Sequence, residues 1–223
     1  MTFDDFKKQF EIFSKIDTAE KLAICESQYE KHLLHIEAEN YFEPKIERLG
    51  DDIISKYEKN LNDIFLFNKV KDNQFYFLVV PSFEPENLLI LERERDNYVL
   101  THVALTKNYW ALFYADNKIS GPEKTTSKAG LSKAIGDKLF ALLDKTIIDA
   151  RQPKAGRFTL DGIAYILSKV SNGVQKTVFK HSPTKTSKSG QIIEIMQQLI
   201  DNIGRLDDTI LLNIETSIRG LHD

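Results

Sequence analysis

Three runs decide the fold: Phe75-Tyr-Phe-Leu-Val-Val80, Leu88-Leu-Ile-Leu-Glu-Arg-Glu-Arg95 and Tyr98-Val-Leu-Thr-His-Val-Ala-Leu105. The first is aromatic and β-branched and stops at Pro81, the signature of a buried strand. Ser82-Phe-Glu-Pro-Glu-Asn87 is a turn-rich link, and Asp96-Asn97 reads as a tight hairpin turn. Strands joined this closely form an antiparallel meander, because parallel neighbours need crossovers of about a dozen residues or more.

Working outward, Phe65 and Phe67 read as a short strand run before the meander, and Tyr109-Trp-Ala-Leu-Phe-Tyr114 as a strand after it, with Lys107-Asn108 as the turn. Asp116 to Lys128 reads as a polar loop. Leu131, Ile135, Leu139, Leu142, Leu143 and Ile147 then recur at helical spacing. A second hairpin follows, Arg157–Lys169 against Val174–Lys180, about Ser171-Asn172-Gly173, where Asn-Gly supplies the turn. Asp161-Gly162 inside its first strand suggests a bulge. Stripes from Ile192 to Ile203 and from Leu206 to Leu221 predict two closing helices.

Residues 2–60 read as helix. Leu22, Cys25, Tyr29, Leu33 and Ile36 make one stripe, Pro44 breaks it, and Ile46, Leu49, Ile53, Ile54 and Tyr57 make another. The expected fold class is therefore α+β, an antiparallel sheet (meander plus a second hairpin) packed with helices on one face, flanked by N-terminal and C-terminal helical segments. The expected organisation is a helical segment 1–62 and an α+β domain 63–223, or one continuous domain.

The chain has 223 residues, 42% hydrophobic and 28% charged, which suits a fully folded globular protein. Its single Cys25 has no disulfide partner, no Asn-x-Ser/Thr acceptor occurs, and Met1-Thr-Phe-Asp-Asp-Phe6 is too acidic for a secretory leader. The longest apolar run is far short of the ~20 residues that a membrane helix needs. The expected location is the cytoplasm, with no membrane attachment.

Phe75-Tyr-Phe-Leu-Val-Val-Pro-Ser-Phe-Glu-Pro-Glu86, Asn108-Tyr-Trp110, Leu160-Asp-Gly-Ile-Ala-Tyr165 and His181-Ser-Pro183 together resemble a pattern in uncharacterised bacterial α+β proteins. The likeness spans about residues 63–204 and implies one coherent α+β domain of bacterial type. It carries no activity, so no functional residue comes with it.

Chemical motifs are sparse. There is no phosphate-binding glycine loop, dinucleotide fingerprint or serine-hydrolase elbow, and no cofactor is expected. His32, His35 and Glu39 share one side of a helix, but lack a second element to complete a metal site, and read as a solvated face. An enzyme reading would gather Asp161, Tyr165 and His181 around the second hairpin.

Charge is the most uneven property. Residues 118–190 contain 14 basic and 5 acidic residues, whereas the whole chain carries a net charge of −3. Lys169, Lys176, Lys180, Lys185 and Lys188 fall in an acid-free run from Ile163 to Ile193, and the Lys/Ser/Thr loop precedes a helix N-terminus, a favourable place for an anion. Internal pairing with the chain's own acidic helices is the favoured reading of the segment. The leading function is a non-enzymatic cytosolic protein-interaction module binding an acidic partner, with Lys176, Lys180, His181, Lys185, Lys188 and Trp110 as candidate binding residues. The alternatives are a hydrolase-like enzyme near the 157–182 hairpin and single-stranded nucleic-acid binding through the 176–190 loop. The absence of Arg between 158 and 204 and a pI near 6.0 weigh against nucleic acid.

Overall fold

The structure is a computed structural model that describes residues 2–9, 19–45, 52–115, 121–154 and 162–221. In chain order its elements are α1 (Phe3–Gln9), α2 (Ala19–Ala38), β1 (Glu43–Pro44), α3 (Ile53–Phe65), β2 (Gln74–Pro81), β3 (Asn87–Glu94), β4 (Asn97–Leu105), α4 (Tyr109–Ala115), β5 (Lys124–Leu131), α5 (Lys133–Ile148), β6 (Ile163–Ser171), β7 (Val174–His181), α6 (Lys188–Asn202) and α7 (Asp208–Gly220). The strands form one antiparallel sheet in the order β1-β7-β6-β2-β3-β4-β5, so the fold is α+β.

Period-two alternation sorts the strand side chains onto two faces. On one, Phe75, Phe77, Leu89, Leu91, Leu100, Leu167 and Val178 pack beneath α5, α6 and α7. On the other, Tyr76, Leu78, Leu88 and Ile166 meet Tyr57, Leu61 and Phe65 of α3 and Tyr109 and Phe113 of α4. Helices thus cover both faces, where one was expected. The physical reason lies in β2, buried along nearly its whole length: a strand apolar on both sides must be covered on both.

Local chemistry explains most element ends. Asp52 caps α3 by accepting from Ile54 N and Ser55 N, and Leu66 ends it in the left-handed region at φ 55°. Asn172 and Gly173 turn β6 into β7 with φ 54° and 74°, the paired positive angles that a two-residue hairpin turn favours. The β3–β4 turn sits one residue earlier than Asp96-Asn97, because Arg95 takes the positive φ of 52° and Glu94 pairs with Asn97.

Several expectations are corrected. Tyr109–Ala115 is helical, since Asn108 Oδ1 and the Glu86 carboxylate accept from its first backbone N–H groups. Phe65 extends the Tyr57–Leu61 stripe at the end of α3, and Phe67 lies in a 3-10 turn. Pro44, which breaks the first helical stripe, lies in the short β1 beside Val178. Lys124–Leu131, most of it assigned to a loop, is an edge strand paired with β4. It is polar on both faces, so hydrophobic alternation gives it no signal. Ile46, Leu49 and Asp161, with the strand start at Arg157, lie outside the described residues. Among the described residues no helix is long and apolar enough to cross a membrane.

Candidate functional site: an open sheet edge and an apolar cavity

The sheet ends differently on its two sides. Beside β7 the outer strand is the two-residue β1, which contains Pro44, and a short proline-bearing edge resists further pairing. On the other side β5 runs for eight residues, paired with β4 from Lys124↔Leu105 to Leu131↔Tyr98. Residues 123–128 are all exposed. Alternate residues of such a strand turn their N–H and C=O groups away from the sheet. Thr125, Thr126 and Ser127 favour the extended backbone, and the buried Leu131 anchors the strand's end in the core.

Lys124, Thr126 and Lys128 project from the same side of β5, the side of α3. Lys124 Nζ reaches the carbonyl of Ile64, and among the described residues Lys128 has no acid within ion-pair distance. From Lys124 to Gly136 the chain has no acidic residue. Among the described residues no strand pairs with the outer side of β5, so the edge combines backbone groups open on that side with positive charge.

Most of the remaining basic segment is neutralised internally. Lys133, Lys138, Lys145, Lys169 and Lys180 each pair with a carboxylate, while Arg151 and Lys154 share Glu37. Asp137 is held below the ordinary carboxylate range by hydrogen bonds from Lys133 and then Tyr98. Three of these pairs use the segment's own Asp137, Asp144 and Asp149, whereas Glu37, Glu43 and Glu215 come from outside it, so the fold offsets only part of the imbalance.

The six residues singled out from sequence do not form one surface. Lys180 is fully buried, with Nζ 2.7 Å from Ala38 O and 3.1 Å from Glu43 Oε1, so it is an internal cation rather than a docking residue. Lys176 is exposed five positions before His181 on β7, about 16 Å along a strand, whereas Lys185 and Lys188 lie in the loop and helix beyond the other end. Two of the N–H groups that an anion would seek at α6 are occupied: Ser187 Oγ accepts from Gly190 N at 3.1 Å and Asn40 Oδ1 from Lys188 N at 3.1 Å. Trp110 stands edge-on to Tyr57 at 4.9 Å on the α3 side of the sheet.

Of the enzyme constellation, the structure describes Tyr165 and His181 and keeps them apart. Tyr165 lies opposite Lys180 in the β6–β7 ladder, so Tyr165 and His181 project from opposite faces. Asp161 lies outside the described residues. Three quoted motifs do meet at one end of the sheet, for a structural reason. Ser82 Oγ donates to Gly162 O at 2.8 Å and accepts from Gly162 N at 3.1 Å, while Ser182 Oγ accepts from Ile163 N at 2.9 Å. Both hydroxyls thereby bond backbone groups and hold the three loops together. Gly162, at φ 138°, is needed there, because a Cβ would sit 2.1 Å from Ser182 Oγ.

Glu39 also has a structural partner. Its Oε2 accepts from Thr184 N at 3.2 Å and Thr184 Oγ1 at 2.5 Å, pinning the loop onto the end of α2. His35 Nε2 is 3.4 Å from the other oxygen, whereas the His32 ring lies 5.2 Å from Phe6. Among the described residues no three such side chains gather as metal ligands.

A cavity of about 220 Å³ lies between α3 and the sheet. Leu78, Val80, Ala164 and Ile166 form its floor, Tyr57 and Trp110 an aromatic wall, and the Lys45–Glu58 ion pair of 2.9 Å lines it with Asn62. The wall is fixed from behind. The fully buried Glu86 accepts from Tyr57 Oη at 2.5 Å, Tyr109 N at 2.7 Å and Trp110 N at 3.1 Å. Burial, and then the Glu86 charge, push the Tyr57 hydroxyl far above an ordinary phenol, keeping it a donor. Sequence reading missed both features: β5 lacks periodicity, and a cavity needs residues from α3, α4, β2 and β6.

No family model, curated protein or solved structure matches the chain.

Proposed function

We propose that the protein is a cytoplasmic, non-enzymatic interaction module that binds an extended acidic segment of a partner protein along β5. The observation that carries this reading is the eight-residue edge of β5, exposed from residue 124 to 128 and bearing Lys124 and Lys128 on one side. Strand addition supplies backbone hydrogen bonds, and side chains at alternate positions supply choice of partner. The two lysines are four residues apart, about 13 Å along the strand, so the fitting segment carries two acids at the same spacing. The same lysines oppose pairing with a second copy of β5, where like charges would meet.

The test is fluorescence anisotropy with two labelled β-prone nonapeptides, one with Glu at positions four apart and one with Lys there. The acidic peptide is expected to bind, to weaken as salt shortens the Debye length from about 10 Å at 0.1 M to about 3 Å at 1 M, and to be lost in Lys124→Glu/Lys128→Glu. Equal binding of both peptides, or binding unchanged in the double variant, overturns the proposal.

A further inference from the structure

We propose that the cavity between α3 and the sheet is a binding site for a small planar aromatic molecule bearing one hydroxyl group, a role separate from the β5 edge and independent of it. Size is the first argument. At about 220 Å³ it exceeds the 150 Å³ engineered cavity known to accept benzene, and so suits a two-ring molecule.

Shape is the second argument. The floor is a patch of pleated sheet in which Leu78 faces Ile166 and Val80 faces Ala164 across the β2–β6 ladder. Ala164 is the small member of that patch, and the missing side-chain volume leaves depth beneath α3. Opposite the floor, Tyr57 and Trp110 meet edge to face with an interplanar angle of 84°. A flat ring laid on the sheet presents a face to one aromatic edge, the geometry that aromatic quadrupoles favour.

The third argument is chemical. Lys45 Nζ donates to Glu58 Oε2, both side chains are partly covered, and Asn62 lines the same cavity. A hydroxyl both donates and accepts, so it can join this pair without leaving either charge unmatched. A purely apolar molecule would gain nothing from that polar lining, and a carboxylate would compete with Glu58 for Lys45. Finally, Glu86 holds the backbone of Trp110 and the hydroxyl of Tyr57, so the aromatic wall is set before any molecule arrives.

The probes are 2-naphthol and the non-planar 1-adamantanol, added to the full chain and followed by calorimetry. The indole N–H resonance of Trp110, the chain's one tryptophan, locates the binding. We expect 2-naphthol to bind at one site, to shift that resonance and to exceed 1-adamantanol in affinity. Ala164→Leu and Val80→Phe fill the floor and are expected to weaken 2-naphthol roughly tenfold or more while near-ultraviolet circular dichroism stays native. Lys124→Glu/Lys128→Glu is expected to bind it as the parent does, which separates this site from the peptide edge. The proposal is overturned if 2-naphthol does not bind, if the Trp110 resonance stays fixed, if 1-adamantanol binds as tightly, or if either folded floor variant binds unchanged.

Discussion

Glu86 and Tyr57, 29 residues apart in sequence, share a buried 2.5 Å hydrogen bond that joins the loop before β3 to the middle of α3. The same carboxylate accepts from the first two N–H groups of α4, so one side chain ties together three segments on one face of the sheet. A buried carboxylate is costly unless its oxygens are satisfied, and here they are.

Removing that carboxylate should therefore be severe. Glu86→Ala strands the Tyr57 hydroxyl and two backbone donors and is expected to cost about 3 kcal/mol or more, whereas Tyr57→Phe leaves Glu86 two donors and should cost about 1–2 kcal/mol. Urea unfolding of the two variants checks the order. Equal losses would mean that the α4 contacts contribute nothing.

Lys180 tests the internal pairing of the basic segment. Its ammonium, fully buried between Ala38 O and Glu43, sits 5.8 Å from the Tyr41 ring. Lys180→Met should destabilise the chain by about 3 kcal/mol by leaving Glu43 uncompensated, and adding Glu43→Leu should recover much of that loss. A double-mutant cycle by chemical denaturation reads the coupling directly, and purely additive losses would contradict it.

Gly136 is set by packing rather than by backbone angle. A Cβ there would lie 2.0 Å from Tyr98 Cδ2, and Tyr98 is itself held by Asp137 at 2.6 Å and by Arg93 at 2.6 Å. Gly136→Ala should cost about 3 kcal/mol through overpacking, despite alanine's better helix propensity, and the thermal midpoint should fall accordingly. A raised midpoint would show that Tyr98 moves aside freely.

Acid sensitivity should be concentrated in the α5–α7 contact. Hydrogen bonds from Lys138 and then Arg219 hold the Glu215 carboxyl at about 2, below its ordinary 4.5. A carboxyl with a depressed folded-state value stabilises fully above pH 4.5, and its contribution is lost as pH falls toward 2. Glu215→Gln should thus lower stability at pH 7 and flatten its decline between those limits. Denaturation curves at several pH values check this, and an unchanged slope would remove Glu215 as the cause.

Much of the fold was legible in the sequence because it rests on local rules. The β2–β3–β4 meander followed from Phe75–Val80 and two short alternating runs, the β6–β7 hairpin from Asn172-Gly173, and α5, α6 and α7 from apolar residues at helical spacing. These elements are specified by turn chemistry and periodicity within each segment, which chain order preserves. The rest depends on partners far away. Tyr109–Ala115 is a helix because Glu86 caps it, and Lys124–Leu131 is a strand because β4 pairs with it. Lys180 is buried because Glu43, 137 residues earlier, neutralises it. The same holds for the candidate sites. Sequence alone marked a positive segment and Trp110, but only tertiary structure decided that seven of its fourteen basic residues enter ion pairs, that no described strand pairs with the outer side of β5, and that Trp110 walls a cavity. Hydrophobic periodicity records which side chains leave water, whereas pairing and cavity shape are set by groups brought together only on folding.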